Sequence, residues 1–156
     1  MVLSSLFSGG EADMLIGEYQ HNIDAKGRVI VPAKLREGLG DKFYIVRGID
    51  KCLFLYPESR WIEILEKIKT LPWTLEEVRR FSRKFASTAS ECEVDNQGRI
   101  LIPQKLREHA CLEKQVVSIG VIDRVEIWSQ QLWNDYNGDG EDDDEELARK
   151  MAELGI

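Results

Sequence analysis

An internal repeat constrains the fold of this chain more than any other feature. Residues 23–37 read IDAKGRVIVPAKLRE and residues 94–108 read VDNQGRILIPQKLRE, at a constant offset of 71 residues without gaps. Eight of the fifteen positions are identical, and several others exchange one apolar residue for another. Since each half carries the same string of elements, the pattern predicts a duplicated architecture.

Each half predicts the same order of elements. In the first half, an alternating strand over residues 15–23 leads into a turn and a β-branched strand, and Pro32 opens a short helix. Two strands at 43–47 and 52–56 complete the unit. Two helices are expected between the halves, and the second opens with a capping box at residues 74–77. Because such short elements bury little alone, we expect the halves to pack their sheets face to face around one core.

The charge of the chain is concentrated at its C-terminal end. Residues 135–156 contain nine acids and two bases, so they account for the whole net charge of −7 and the remainder sums to zero. A neutral body can carry a local basic patch, and the local potential is what a phosphate backbone experiences. A nucleic-acid partner therefore remains compatible with the acidic composition.

Composition also excludes several classes of protein. No run of eighteen apolar residues occurs, so no membrane partner is expected. The three cysteines are an odd number without CxxC spacing, which predicts reduced thiols in the cytosol rather than disulfides or a zinc site.

The D-x-x-G-R sequence in each copy predicts a tight hairpin turn. Its aspartate can accept hydrogen bonds from the N–H groups of the turn, and its glycine tolerates a positive φ. The arginine begins the return strand, where its guanidinium can pair with the aspartate at the base of the hairpin. The exposed tip is then Ala25-Lys26 in the first copy and Asn96-Gln97 in the second.

The hairpins favour contact with double-stranded DNA. A two-stranded ribbon fits the major groove, and Arg, Lys, Asn and Gln read base edges or hold phosphates there. Residues 24–36 carry a net charge of +3 and residues 95–107 a net charge of +2. The alternative is that Asp and Arg only pin each hairpin while the other cations coat a short helix. The candidate DNA-binding residues are Asp24, Lys26, Arg28, Lys34, Arg36, Asp95, Gln97, Arg99, Lys105 and Arg107.

The two cassettes, with the lead-in GEYQHNID, resemble the MraZ family of bacterial regulators, which are related in fold to AbrB-type transcription factors. The resemblance covers roughly residues 14–136. It implies an α+β fold, namely a duplicated swapped-hairpin AbrB-like β-barrel with pseudo-twofold symmetry and flanking helices. It also implies a cytoplasmic, nucleoid-associated homo-oligomeric ring that binds repeated boxes in the promoter of the division and cell-wall gene cluster. By the family pattern, the functional positions are Asp24, Arg28, Asp95, Arg99 and the neighbouring Lys26.

We expect the chain to divide into four segments. Residues 1–13 are expected to be a disordered or expression-derived arm. The first AbrB-like repeat with its following helices spans 14–86, and the second repeat spans 87–138. Residues 139–156 form an acidic linker and a C-terminal helix, and both chain ends depart from what we expect of the family.

A calcium site is the sharpest alternative. Residues 135–146 match the EF-hand loop pattern, with Asp135, Asn137, Asp139 and Glu146 as ligands. The eighth loop position is acidic rather than apolar and no second loop is present, so we prefer a solvated acidic linker. No metal or other cofactor is therefore expected.

Two further classes of protein agree less well with the sequence. The chain is not expected to be an enzyme with a small-molecule substrate, because its two histidines, His21 and His109, occupy non-equivalent places and no nucleophilic set or phosphate loop appears. An oligomeric interaction scaffold is the other alternative, since a helix with four cations could dock an acidic partner. These cations are Arg79, Arg80, Arg83 and Lys84.

Overall fold

The computed structural model describes residues 14–137 and 141–156, with side chains from residue 144 onward in the last helix. This part of the chain contains both strands and helices, and the strand pairings within it are all antiparallel, which confirms the α+β class. In chain order they are β1 (Leu15–Asn22), β2 (Arg28–Ile30), α1 (Ala33–Leu39), β3 (Phe43–Arg47), β4 (Leu53–Pro57), α2 (Glu58–Lys69), α3 (Glu76–Thr88), β5 (Ser90–Cys92), β6 (Arg99–Leu101), α4 (Gln104–His109), β7 (Gln115–Ile122), β8 (Val125–Ser129), α5 (Gln130–Tyr136) and α6 (Glu141–Glu153).

The two halves exchange strands. One sheet has the order β1-β7-β8-β4-β3-β5, so the first strand of each half pairs with a strand of the other half. The second sheet is the ribbon of β2 and β6, in which Val29 lies opposite Ile100. Because these two residues are equivalent in the repeat, the pseudo-twofold axis passes through this pair. The duplicated swapped-hairpin arrangement is thereby confirmed.

Both sheets contain strands from both halves, so the expectation that each half contributes a sheet of its own is wrong. Strands β2 and β6 are three residues long. Their backbone N–H and C=O groups need partners, and the equivalent strand of the other half supplies them. The pairing of the described strands leaves β1 and β5 as edges and does not close the sheets into a barrel.

The ribbon is anchored to the main core. Val29 and Ile100 are each 1% exposed, and they pack in one cluster with strands of the six-stranded sheet. Leu35 of α1 and Leu106 of α4 are also 1% exposed and join the same cluster. Burial of large aliphatic side chains stabilises a folded chain by about 1.5–3 kcal/mol each. The hairpins therefore rest on a rigid platform.

A second cluster is formed largely by aromatic residues. The ring of Trp61, on α2, stacks on that of Tyr44 with centroids 5.3 Å apart and on that of Phe85, on α3, at 5.4 Å. Phe81 stacks in turn on Phe85 at 5.4 Å. These contacts attach the two central helices to β3.

The two predicted helix starts differ in detail from the structure. The capping box at residues 74–77 is wrong, because α3 begins at Glu76, and its N-cap residue Leu75 donates its N–H to the Pro72 carbonyl at 3.1 Å instead of capping with a side chain. The extended ψ of Pro32, 142°, places it at the N-cap of α1 and not at the first helical position. Among the described residues, no helix has the length and apolar character needed to cross a membrane.

Candidate nucleic-acid interface

The first hairpin is organised by one carboxylate. Oδ1 of Asp24 accepts hydrogen bonds from the backbone N–H groups of Lys26 at 2.9 Å and Arg28 at 2.8 Å. Its Oδ2 accepts from Nε of Arg28 at 2.7 Å. Gly27 has a φ of 84°, in the region that favours glycine. The turn and the direction of the arginine are thus fixed together.

The second hairpin repeats this geometry. Oδ1 of Asp95 accepts from the backbone N–H groups of Gln97 and Arg99, both at 2.9 Å, and its Oδ2 accepts from Nε of Arg99 at 2.9 Å. Gly98 has a φ of 78°. The predicted turn chemistry, including the carboxylate–guanidinium pair, is confirmed in both copies.

These hydrogen bonds also set the charge of the hairpins. The backbone N–H of Arg28 lowers the pKa of the Asp24 carboxyl below its usual 3.8, and partial desolvation opposes the shift. The backbone N–H of Arg99 lowers the pKa of Asp95 in the same way. Both carboxyls are therefore ionised at neutral pH and can only accept hydrogen bonds, so each turn retains its shape.

The outer face of the ribbon mixes cations with apolar side chains. Arg28 lies opposite Leu101, and Arg99 lies opposite Ile30. Because side chains alternate along a strand and Val29 faces the core, these four side chains lie on the outer face. Ile30 is 49% exposed and Leu101 is 61% exposed. This face therefore offers guanidinium groups beside an accessible apolar patch.

The two hairpins also contact each other. Nη1 of Arg99 lies 3.8 Å from Oδ2 of Asp24, so one carboxylate is shared between the repeats. The ribbon continues by one hydrogen bond at each end, from Val31 N–H to the Gly98 carbonyl and from Ile102 N–H to the Gly27 carbonyl, each at 2.9 Å. The two tips thus flank one rigid unit.

An arginine of each repeat packs on the hairpin of the other. Arg107 donates from Nε to the Ile102 carbonyl at 3.0 Å, and its guanidinium lies so close to Gly27 that a Cβ there would be 2.8 Å from Cζ. Arg36 donates from Nε to the Val31 carbonyl at 3.0 Å and lies over Gly98. A Cβ added to Gly98 would be 3.4 Å from Cζ of Arg36. Sequence reasoning assigned both arginines to phosphate contacts and missed this packing role. The repeat alone does not reveal it, because it does not show which hairpin each arginine contacts.

The remaining candidates are exposed on the same elements. Lys26 and Gln97 lie at the hairpin tips, and Lys34 and Lys105 lie at the starts of α1 and α4. The structure therefore brings the predicted aspartates and arginines into contact around the ribbon, and it extends the other four side chains from it towards solvent.

The calcium-loop residues are only partly described. Asp135 accepts from the Gln131 amide at 3.0 Å, and the amide of Asn137 donates to the Trp133 carbonyl at 3.1 Å. Glu146 is an exposed residue of α6, and Asp139 lies outside the described residues. Within the described ranges, no three acidic, histidine or cysteine side chains form a group able to hold a metal ion. Calcium binding by this loop therefore stays an untested alternative to the predicted acidic linker.

The cysteines have no partners among one another. Cys52 and Cys92 are buried, and Cys111 is exposed. Burial raises the pKa of the Cys92 thiol to about 12, so that group is inert as a nucleophile.

The strand exchange, the paired hairpins and the shared ribbon define a duplicated swapped-hairpin protein of the AbrB-like class. Comparison with known families identifies the group within that class. The family described as "MraZ protein, putative antitoxin-like" matches residues 14–84 and again residues 85–153. The chain belongs to the MraZ family. The second match reaches into the acidic tail, so the tail lies within the family pattern.

Curated relatives agree with this assignment. A protein of Desulforamulus reducens named transcriptional regulator MraZ is 54% identical over 141 residues, which are 90% of this chain and 99% of the relative. Proteins of the same name from Acetivibrio thermocellus and Clostridium beijerinckii are 54% and 55% identical over 143 residues, 92% of this chain and 100% of each relative. These relatives are named as regulators and not as enzymes, in agreement with the sequence-based expectation.

Proposed function

We propose that this chain is a sequence-specific DNA-binding transcriptional regulator that contacts the double helix with its two hairpins. The observation that carries the proposal is the pair of exposed tips held at the two ends of one ribbon, with cations on its outer face. The major groove of B-DNA is about 12 Å wide and admits a two-stranded ribbon. The paired strands β2 and β6 therefore have a suitable width for one groove.

The outer face supplies both kinds of contact that DNA recognition needs. Lys26, Lys34 and Lys105 are exposed and can neutralise phosphates, which contributes affinity independent of sequence. The guanidiniums of Arg28 and Arg99 use Nε towards their aspartates. The Nη groups of Arg28 and Nη2 of Arg99 can therefore be directed at guanine edges or phosphates, while the carboxylate fixes the orientation of each side chain.

Several copies are proposed to act together as a ring on repeated promoter boxes. One hairpin pair makes few contacts, and its affinity would be weak and salt-sensitive. Tethering several pairs raises the effective concentration of each, and the spacing of the boxes then becomes part of the specificity. Following the family resemblance, we propose the division and cell-wall gene cluster as the target and the cytoplasmic nucleoid as the location.

Footprinting on the DNA upstream of the protein's own gene tests the proposal. Protection of short repeated boxes is expected, and it should disappear when Arg28→Ala and Arg99→Ala are combined. Lys69→Ala, an exposed cation on α2, is the matched control and should leave the footprint unchanged.

The same variants separate a regulator from an interaction scaffold. Salt-dependent DNA binding that is lost without a change in oligomer size supports the regulator. Normal binding of promoter DNA by the double variant would show that the site is assigned to the wrong residues.

A further inference from the structure

An apolar groove lies between the two central helices and the edge of β3 and β4. Its volume is about 400 Å³, and Ile64, Ile68, Phe54 and Phe85 form most of its floor. At its side, Phe81 and Leu71 remain 44% and 40% exposed. A groove that leaves aromatic and aliphatic surface in water is a typical place for another element to dock.

The rim of this groove is positive. The charged side chains among the described lining residues are all cations, namely Arg47, Arg60, Lys67 and Lys84. Arg60 is engaged by Asp123 at 2.9 Å, whereas Lys67 and Lys84 are exposed on facing helices. The groove therefore favours an occupant that is both apolar and acidic.

Helix α6 has the complementary properties. Its sequence, EDDDEELARKMAE, holds seven acids and two bases, a net charge of −5. Leu147, Met151 and Leu154 follow the i, i+4, i+7 spacing of one helix face. They are 59%, 36% and 68% exposed, and every residue from 144 to 156 is exposed. An isolated helix of this length is marginal in water, so its apolar face needs a partner.

We infer that α6 of one copy docks in the basic-rimmed groove of a second copy. The apolar stripe would lie on the aromatic floor, and the acidic residues would face Lys67 and Lys84. A groove on one copy and a helix on the next form a head-to-tail contact, which can propagate from subunit to subunit and closes into a ring when the rotation permits. The inference rests on the proposed assembly of several copies, and it identifies the groove and α6 as the surfaces through which neighbouring copies make contact.

Sedimentation velocity at low salt tests each side of the contact separately. Lys67→Glu with Lys84→Glu reverses the rim, and Leu147→Asp with Met151→Asp disrupts the stripe. Each pair is expected to raise the dissociation constant of the assembly at least about tenfold, because a desolvated charge or apolar anchor is lost. Lys69→Glu with Arg83→Glu is the matched control, since both are exposed on the same two helices and neither lines the groove.

Mixing the two defective variants determines whether docking occurs between copies. The rim variant keeps an intact α6, and the stripe variant keeps an intact groove, so the mixture should form a one-to-one heterodimer that grows no further. Assembly of both variants as wild type, or absence of the heterodimer because α6 folds back on its own chain, would overturn the inference.

Thermal unfolding and DNA binding complete the design. At a protein concentration at which wild type is dissociated as well, the stripe variant should unfold at the wild-type temperature, because its substitutions are exposed in the single chain. It should also bind a DNA fragment with one box as wild type does, since the hairpins are untouched. A wild-type protein that assembles but binds no promoter DNA would contradict the proposed function and leave the docking contact supported.

Discussion

The two hairpins share their turn chemistry and differ in the residues at their tips. Asp24 and Asp95 make the same three hydrogen bonds, at 2.7–2.9 Å in the first copy and 2.9 Å in the second. The tips, in contrast, present Lys26 in one copy and Gln97 in the other. The comparison teaches that duplication preserved the residues that shape the hairpin, whereas the side chains at the tip diverged.

The packing behind the hairpins is asymmetric as well. Arg107 approaches Gly27 more closely than Arg36 approaches Gly98. Arg99 has a second carboxylate within 4 Å, that of Asp24. The first hairpin is therefore the more tightly supported, and it also carries the additional tip cation.

The largest expected effect is loss of DNA binding when both hairpin arginines are removed. Each well-oriented arginine contact is worth about 1–3 kcal/mol, so Arg28→Ala with Arg99→Ala should weaken binding by about two orders of magnitude or more. Fluorescence anisotropy with promoter DNA measures this. If either single variant binds as tightly as wild type, the corresponding copy does not contact DNA.

The glycines should reveal the asymmetry of the packing. Alanine at either position is strained by about 1–2 kcal/mol because of the positive φ. Gly27→Ala should lower the free energy of unfolding more than Gly98→Ala, since its Cβ would also displace Arg107. Free energies of unfolding from urea titrations measure the difference, and Arg107→Ala should reduce it. Equal costs for both glycines would contradict the asymmetric packing.

The tips should differ in the salt dependence of binding. Lys26→Ala should reduce the slope of log affinity against log salt by about 1, the value of one phosphate contact, whereas Gln97→Ala should leave it unchanged. Neither side chain makes the hydrogen bonds that hold its turn, so the hairpins should remain folded. Equal slopes for the two variants would show that the copies contribute alike.

The smallest effect concerns pH. Because the folded-state pKa of Asp95 lies below its ordinary 3.8, its contribution to stability is present above that value and is lost as the pH falls through the lowered one. The gap in unfolding free energy between wild type and Asp95→Asn should therefore be constant from pH 7 to 5 and shrink below about 4. Chemical denaturation across this range measures it, and a gap that grows in acid would contradict the hydrogen-bond geometry.

The sequence predicted what depends on local chemistry. The D-x-x-G-R turns, the carboxylate–guanidinium pairs and the duplicated order of elements follow from residues close together in the chain. What it could not predict depends on which half a strand or side chain meets. The pairing of β1 with β7 joins residues about 100 positions apart in the chain. The packing of Arg107 on Gly27 joins residues about 80 positions apart.

The helix starts show a different limit. Thr74 and Glu77 have capping-box spacing, yet Arg79 donates to the carbonyls of Trp73 and Thr74 at 3.2 and 2.8 Å, and the chain enters α3 later. The N–H of Leu75 closes a turn to the Pro72 carbonyl at 3.1 Å, so the helix starts one residue later than the motif predicts. The position of that turn depends on the three-dimensional path of the chain and leaves no periodic signal in the sequence.

A negative charge introduced at both tips tests the central claim most directly, because it changes the groups offered to DNA without touching the bonds that form the hairpins. Lys26→Glu combined with Gln97→Glu should leave the thermal unfolding temperature at its wild-type value and lower the affinity for promoter DNA by at least about tenfold. An unchanged affinity in a protein of unchanged stability would show that the hairpin tips do not approach DNA.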